Sequence, residues 1–293
     1  MLAVAGGRGE LLISRDAHKS IVAGLIFTGV EPRWIKVRYD DQLHLAHPPS
    51  PEQLDEAWDR HPSAAGALVV SPTPYGTCRD IAALAEICHW RGKPLIVDEA
   101  WGAHLPFHDG LHVLKDELLT EEASHDLDPL QVLIDVTGLG VNGYQAADWL
   151  REHCNLDMGL SDHQRILATL SMADDTASTD RLLDAMGRLV AAAPAMPAAK
   201  RVELPSPKQF DLEPVLSPRD AFFGETETVA VSQAIGRVCA EQITPYPPGI
   251  PAIMPGERIT AGLVDYLRSG LAAGMVLPDP ADQTLGTVRV TAG

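Results

Sequence analysis

The sequence has few cysteines, no basic region and no long apolar run. Its four cysteines (Cys78, Cys88, Cys154 and Cys239) include no C-x-x-C pair, so it indicates neither a disulfide framework nor a zinc site. The formal net charge of −17 argues against nucleic acid or an anionic membrane as a partner, because both attract basic surfaces. No run could span a bilayer, and residues 1–6 are too short and uncharged for a signal peptide. We therefore expect a cytoplasmic protein.

The first hundred residues alternate between strand and helix patterns. Hydrophobic residues make up 45% of the 293 residues and charged residues 22%, which is ordinary for a globular protein. Ser50, Pro51 and Gln53 together form a helix-start signal with a capping box. Such alternation predicts a mostly parallel sheet covered by helices, with strands at residues 10–14, 33–37, 67–71 and 94–98 and further helices at 17–28 and 80–90.

The pattern changes after His112. Residues 130–171 predict strands around a helix at 143–153, and residues 179–190 predict an amphipathic helix, so this part is expected to be a small α+β unit. An alanine- and proline-rich linker is expected next, and the last segment ends in a predicted helix at residues 259–273.

Three polar clusters follow predicted strands at their carboxyl ends. They are residues 14–20 (SRDAHKS), 71–76 (SPTPYG) and 98–104 (DEAWGAH). Because open α/β sheets bind ligands at that edge, the clusters predict a ligand site there.

Asp98 is the most informative residue of these clusters, because it ends an apolar strand with a carboxylate that needs a partner. One suitable partner is the protonated ring nitrogen of pyridoxal 5'-phosphate (PLP). The alternatives are that Asp98 caps a turn or pairs with an arginine. For His18, the alternative to a ligand role is a residue at a helix start with its ring in solvent.

The remaining histidines do not predict a metal site. His104 and His108 have H-x-x-x-H spacing, but Pro106 between them argues against a shared helix face. His44 and His47 lie in a proline-rich stretch and are interpreted as surface residues.

Together these clusters resemble the ornithine/lysine/arginine decarboxylases, PLP enzymes of the aspartate-aminotransferase fold. Residues 216–223 (LSPRDAFF) and 245–257 look like the C-terminal domain of that family. The resemblance covers nearly the whole chain. It implies an α/β fold in which an incomplete PLP-transferase-type parallel-sheet domain is followed by a small α+β domain and a decarboxylase-type C-terminal domain. The expected bounds are 1–112, 113–190, a linker at 191–208, and 209–293.

The resemblance also implies roles for individual residues. Asp98 would pair with the pyridine nitrogen, so that the ring accepts electrons when carbon dioxide leaves the amino acid substrate. His18 would stack on the ring, and Thr73, Trp101 and His104 would line the pocket. Lys19 looks like a structural lysine of the first motif.

The departures from the family pattern concern the cofactor. The family carries a second histidine–lysine pair beyond the aspartate motif, and its lysine holds PLP as a Schiff base. Here residues 108–112 run directly into residues 113–118 (VLKDEL), which resemble the start of the small domain, so the intervening block is absent and the sheet is expected to lack strands. The first residues look like the middle of a helix, which predicts that the phosphate-binding loop is missing too. No lysine has a matching context and no catalytic residue is assigned; the lysines are Lys19, Lys36, Lys93, Lys115, Lys200 and Lys208.

Two hypotheses follow for the function. The first is a PLP-dependent decarboxylase of basic amino acids, expected to be inactive alone because the anchoring lysine is absent. The second is a non-catalytic remnant, or a partner subunit that docks on an intact decarboxylase. Self-association or association with an intact paralogue is expected in either case, because the family forms oligomers and a shortened sheet would expose its edge.

Overall fold

The computed structural model describes residues 1–41, 44–101, 126–128, 130–171, 173–206 and 211–292. The strands are β1 (Glu10–Ser14), β2 (Glu31–Ile35), β3 (Arg38–Asp40), β4 (Leu45–His47), β5 (Ala67–Val70), β6 (Thr77–Cys78), β7 (Leu95–Asp98), β8 (Asp126–Leu127), β9 (Gln131–Asp135), β10 (Leu160–Ser161), β11 (Arg165–Thr169), β12 (Thr226–Ala230) and β13 (Thr287–Thr291). The helices are α1 (Leu2–Ala5), α2 (Lys19–Thr28), α3 (Pro51–Arg60), α4 (Ile81–Trp90), α5 (Gly143–Cys154), α6 (Thr176–Ala192), α7 (Pro218–Phe223), α8 (Val231–Ala234) and α9 (Ala261–Ala273). None of the described helices is both long and apolar enough to cross a membrane.

The first hundred residues form a four-stranded parallel sheet with the order β2-β1-β5-β7. This confirms the predicted α/β fold class. The predicted capping box is present, since Ser50 Oγ accepts from the Gln53 amide and Gln53 Oε1 accepts from the Ser50 amide. Helix α2 ends at Gly29, and Asp80 caps α4.

The two faces of the sheet carry separate apolar clusters. One face packs Leu12 and Val69 against α3 and α4, and the other packs Leu11 and Ile13 against α2. Within the described residues β7 is an edge strand, and all four of its residues are half-buried, whereas β5 is buried throughout. Strands of parallel sheets are normally buried on both faces.

The middle of the chain forms a three-stranded antiparallel sheet, β10-β11-β9, packed against α5 and α6. The C-terminal segment pairs β12 with β13 and packs both strands against α9. Each part has its own apolar cluster, although Tyr144 of α5 joins the C-terminal one. The bounds at residues 112, 190 and 208 stay predictions.

Candidate functional site

The carboxyl ends of β1, β5 and β7 meet at one edge of the parallel sheet. They bring together the three polar clusters that the sequence singled out. The Ser71 amide donates to the carbonyl oxygen of Asp98 at 3.1 Å, which joins the second and third clusters directly. His18 of the first cluster lies near enough to Asp98 for the carboxylate to act on the pKa of its imidazole. The first cluster therefore lies at the same edge of the sheet.

Asp98 is half-buried at the end of β7. Its Oδ1 accepts from the Ala100 amide at 3.1 Å, so the turn-capping alternative holds for one oxygen. In the part of the chain that the structure describes, no lysine, arginine or histidine lies within 4.0 Å of this carboxylate. The arginine-pairing alternative is therefore not realised there, and the acid can still face a cationic ring.

His18 is the N-cap of α2, where its Nδ1 accepts from the Ser20 amide at 3.3 Å. The ring is half-buried and packs against Gly249, where an added Cβ would lie 2.6 Å from the imidazole Nε2. Burial lowers the pKa of His18, and the fields of Asp98 and Asp279 only partly oppose that shift. The imidazole is consequently neutral at pH 7.

Lys19 points into the C-terminal segment. Its Nζ lies 2.7 Å from Asp279 Oδ1 and 4.8 Å from the centre of the Tyr246 ring, and its amide donates to the Gly249 carbonyl at 2.9 Å. These contacts give the side chain a structural role between the first motif and the C-terminal segment.

The other implied pocket residues have contacts of their own. Thr73 is buried, and its hydroxyl lies 2.7 Å from the Thr77 hydroxyl. Trp101 packs in an apolar cluster with Leu45 and Tyr75. His104 and His108 lie outside the described residues. The structure therefore describes two of the three residues that the resemblance implies for the pocket, and their lining role stays a prediction.

The surface interpretation of His47 is wrong. The side chain is buried in β4, and its Nε2 lies 3.8 Å from Asp40 Oδ2 in the neighbouring strand β3. A three-residue strand in a proline-rich stretch gives too weak a pattern for the hairpin to be predicted.

Four of the six lysines lie in the described part of the chain. Lys19 is paired with Asp279, and Lys36 pairs with Asp211 at 2.6 Å. Lys93 precedes β7, at the end opposite to Asp98, about 16 Å away along an extended strand. The remaining one, Lys200, is exposed in the segment after α6. The described residues thus offer an acid and an imidazole for a pyridine ring, but Lys19, the described lysine beside that imidazole, is held in an ion pair with Asp279.

A cavity of about 700 Å³ lies next to this edge, between the parallel sheet, the middle unit and the C-terminal segment. Neither Asp98 nor His18 lines it, whereas Asp16 of the first motif and Glu257 do. Sequence reasoning did not single out either acid, although Asp16 lies inside a motif that it did identify. Within the described ranges, no group of three or more His, Cys, Asp or Glu could hold a metal ion.

Comparison with known families gives two matches. The description "Orn/Lys/Arg decarboxylase, major domain" matches residues 1–126, and "Orn/Lys/Arg decarboxylase, C-terminal domain" matches residues 204–292. The two matches thus name two domains of one family.

Similar proteins carry decarboxylase names. The arginine decarboxylase of Halalkalibacterium halodurans is 28% identical over 397 residues, covering 99% of this chain and 78% of the relative, and that of Bacillus anthracis is 27% identical with the same coverage. Since 397 exceeds the 293 residues of this chain, the first alignment contains gaps where the relative has residues that this chain lacks. The solved structure of Escherichia coli constitutive lysine decarboxylase superposes with a TM-score of 0.74 at 16% identity, covering 99% of this chain and 68% of that one.

Proposed function

The chain belongs to the Orn/Lys/Arg decarboxylase family, and from that premise we propose that it does not decarboxylate basic amino acids alone. The observation that carries this proposal is the position of the four described lysines. Two of them are held in ion pairs, one precedes β7 at the wrong end, and one is exposed after α6.

The described residues fit PLP only in part. Asp98 would hold the proton of the pyridine nitrogen, and the neutral His18 would stack on the ring. Bound PLP supplies an electron sink for the carbanion left when carbon dioxide departs. The family also uses a lysine that must be positioned to about half an ångström, and no described lysine meets that need.

Lys115 and Lys208, the two lysines outside the described residues, do not change the proposal, because neither directly follows a histidine. Lys115 lies in the sequence VLKDEL, which lacks the histidine before the lysine and the small hydroxyl residues that precede the family's pair. The gaps in the alignment with the Halalkalibacterium enzyme support the loss of an internal block.

A second candidate function is that of a partner subunit that docks on an intact decarboxylase. The half-buried edge strand β7 favours it, because the outer polar groups of such a strand are suited to pairing with another chain. A cytoplasmic location is also proposed, consistent with four free cysteines.

The experiment measures carbon dioxide released from carboxyl-labelled lysine, ornithine and arginine in the presence of PLP. The purified chain is assayed alone and mixed with an intact relative, and the Halalkalibacterium arginine decarboxylase serves as positive control. We expect no release above background from the chain alone. Turnover that co-purifies with the chain and disappears in Asp98→Asn would overturn the proposal. Sedimentation of the mixture reports whether the two proteins associate.

A further inference from the structure

The two cations that line the cavity of about 700 Å³ are paired with acids of the same lining. The Arg15 guanidinium lies 3.3 Å from both carboxylate oxygens of Glu257, and Glu257 is buried. Lys36 Nζ lies 2.6 Å from Asp211 Oδ2, and both of these side chains are largely exposed. Neither lining cation is therefore left to hold an anionic ligand.

The other two acids of the lining, Asp16 and Asp162, are compensated by arginines. Arg165 Nη1 lies 3.4 Å from Asp162 Oδ2, and the Arg165 amide donates to Asp162 Oδ1 at 2.7 Å. The guanidinium groups of Arg15 and Arg79 both act on Asp16, whose Oδ2 has almost no accessible surface. A charged ligand would therefore give up its water in the cavity without gaining a partner of opposite charge among the described residues.

The rest of the wall is mostly aromatic and apolar. Five prolines between residues 214 and 251 contribute to it, together with five aromatic rings: Trp34, Tyr39, Tyr75, Tyr144 and Tyr266. Burial raises the pKa of all four tyrosines, so their hydroxyls stay neutral at physiological pH. The wall thus offers ring faces from the parallel-sheet domain, the middle unit and the C-terminal segment without adding charge.

Two histidines are the remaining polar side chains of the wall. The ring centres of His44 and His163 lie 5.6 Å apart. Burial lowers the pKa of His163, and the field of Asp162 only partly opposes that shift. This imidazole is therefore neutral at pH 7.5.

We propose that this cavity binds a neutral aromatic molecule, whose ring faces lie against the tryptophan and tyrosine rings of the wall. A mostly apolar cavity of this volume is typical of small-molecule sites, and aromatic pairs gain affinity beyond the area that they bury. A basic amino acid, which carries several charges, does not suit this lining. The site is separate from Asp98 and His18, and it does not depend on decarboxylase activity.

Matched probes of one shape test the preference for a neutral ligand. 2-Naphthalenemethanol is neutral, 2-naphthylmethylamine is its cationic counterpart and 2-naphthoate its anionic one. Titration calorimetry on the intact chain at pH 7.5 should show that the alcohol binds at least about tenfold tighter than either ion. Failure of the alcohol to bind, or an ion that binds as tightly as the alcohol, would overturn the proposal. This arm needs no variant.

A saturated probe tests the aromatic contact. Decahydro-2-naphthalenemethanol has the same skeleton and hydroxyl group but cannot stack on the rings of the wall. It should bind about threefold more weakly than 2-naphthalenemethanol, or weaker still. Equal affinities of the two alcohols would contradict the contact with aromatic rings.

A variant arm locates the site. Ala46 of β4 lines the cavity and pairs with Tyr39 across the β3–β4 hairpin, so the two side chains lie on the same face. Ala46→Phe should fill part of the cavity and weaken binding of 2-naphthalenemethanol at least about tenfold. The control is Ala230→Phe, at an exposed strand position of β12 outside the lining, which should leave the affinity unchanged. Unchanged affinity in Ala46→Phe with native unfolding behaviour, or equal losses in both variants, would contradict this location.

Discussion

Lys19 Nζ lies 2.7 Å from Asp279 Oδ1, and this ion pair joins the first strand–helix motif to the C-terminal segment. The side chain of Lys19 is 25% exposed and that of Asp279 is 20% exposed. The lysine beside His18 is therefore committed to the structure, and the chain has no second histidine–lysine pair.

Removing this ion pair should destabilise the protein in a pH-dependent way. Burial raises the pKa of Asp279, but hydrogen bonds from Lys19 and Gln242 outweigh burial and hold it below its usual value. The pair therefore stabilises the fold above the ordinary pKa of an aspartate and loses that effect as the pH falls through the folded-state pKa. Asp279→Asn should cost about 1 kcal/mol at pH 7 and almost nothing near pH 2 in urea unfolding.

The control for this prediction is Asp157→Asn, which removes an ion pair with Arg151 between two exposed side chains. We expect little change in stability at either pH. A loss at pH 7 as large as that of Asp279→Asn would mean that burial does not strengthen the Lys19 pair.

Gly249→Ala should displace the imidazole of His18. Gly249 has a φ of +87°, and the new Cβ would lie 2.6 Å from Nε2, so the ring must move and its contact with the Ser20 amide is strained. Gly92→Ala is the control, because Gly92 has a φ of +67° with no atom within 4 Å of the added Cβ. Backbone strain should lower the free energy of unfolding of both variants by about 1–2 kcal/mol. Gly249→Ala should lose about 1 kcal/mol more, because it also disturbs the His18 cap of α2. Equal losses in thermal unfolding would contradict the contact.

Asp16 should make the protein less stable as the pH rises. Burial raises its pKa to about 6, above its usual 3.8, so the folded state holds the proton more tightly than the unfolded state. Protonated Asp16 therefore contributes fully to the free energy of unfolding below about pH 4. That contribution is lost between about pH 4 and 6, as the carboxyl group of the folded protein ionises. The free energy of unfolding of Asp16→Asn should therefore rise by about 1–3 kcal/mol relative to that of the wild type as the pH increases across that range. Parallel stability curves for the two proteins in chemical unfolding would contradict the raised pKa.

Hydrogen exchange should report on the outer edge of β7, which pairs with no other strand among the described residues. Carbonyl oxygens of Pro94 and Asp98 accept from β5, and the register places the Ile96 amide on the same side, so the amides of Leu95 and Val97 point away from β5. They should exchange much faster than that of Ile96 in residue-resolved measurements. Slow exchange at all three would show that another segment or chain covers this edge.

Local signals allowed much of the fold to be predicted. The predicted capping box at Ser50 depends on residues within one turn, and it is present. The parallel sheet follows from the alternation of strands and helices along the chain. These features need no information about distant contacts.

Contacts between distant residues account for what was missed. β12 and β13 pair although the C-terminal helix lies between them in sequence, and β3 and β4 are too short to show a period. The cavity was missed because the first motif, the middle unit and the C-terminal segment come together around it only in the folded chain. A single sequence shows which residues precede and follow Asp16, but not which residues of distant segments lie near it in the folded chain.

Borohydride trapping tests the central claim most directly. The purified chain is incubated with PLP, reduced, digested and mapped by mass spectrometry, with an intact relative as control. We expect a near-stoichiometric adduct at one lysine in the relative, and in this chain only sparse labelling spread over exposed lysines such as Lys200. A near-stoichiometric adduct at one lysine of this chain, lost in Asp98→Asn, would contradict it.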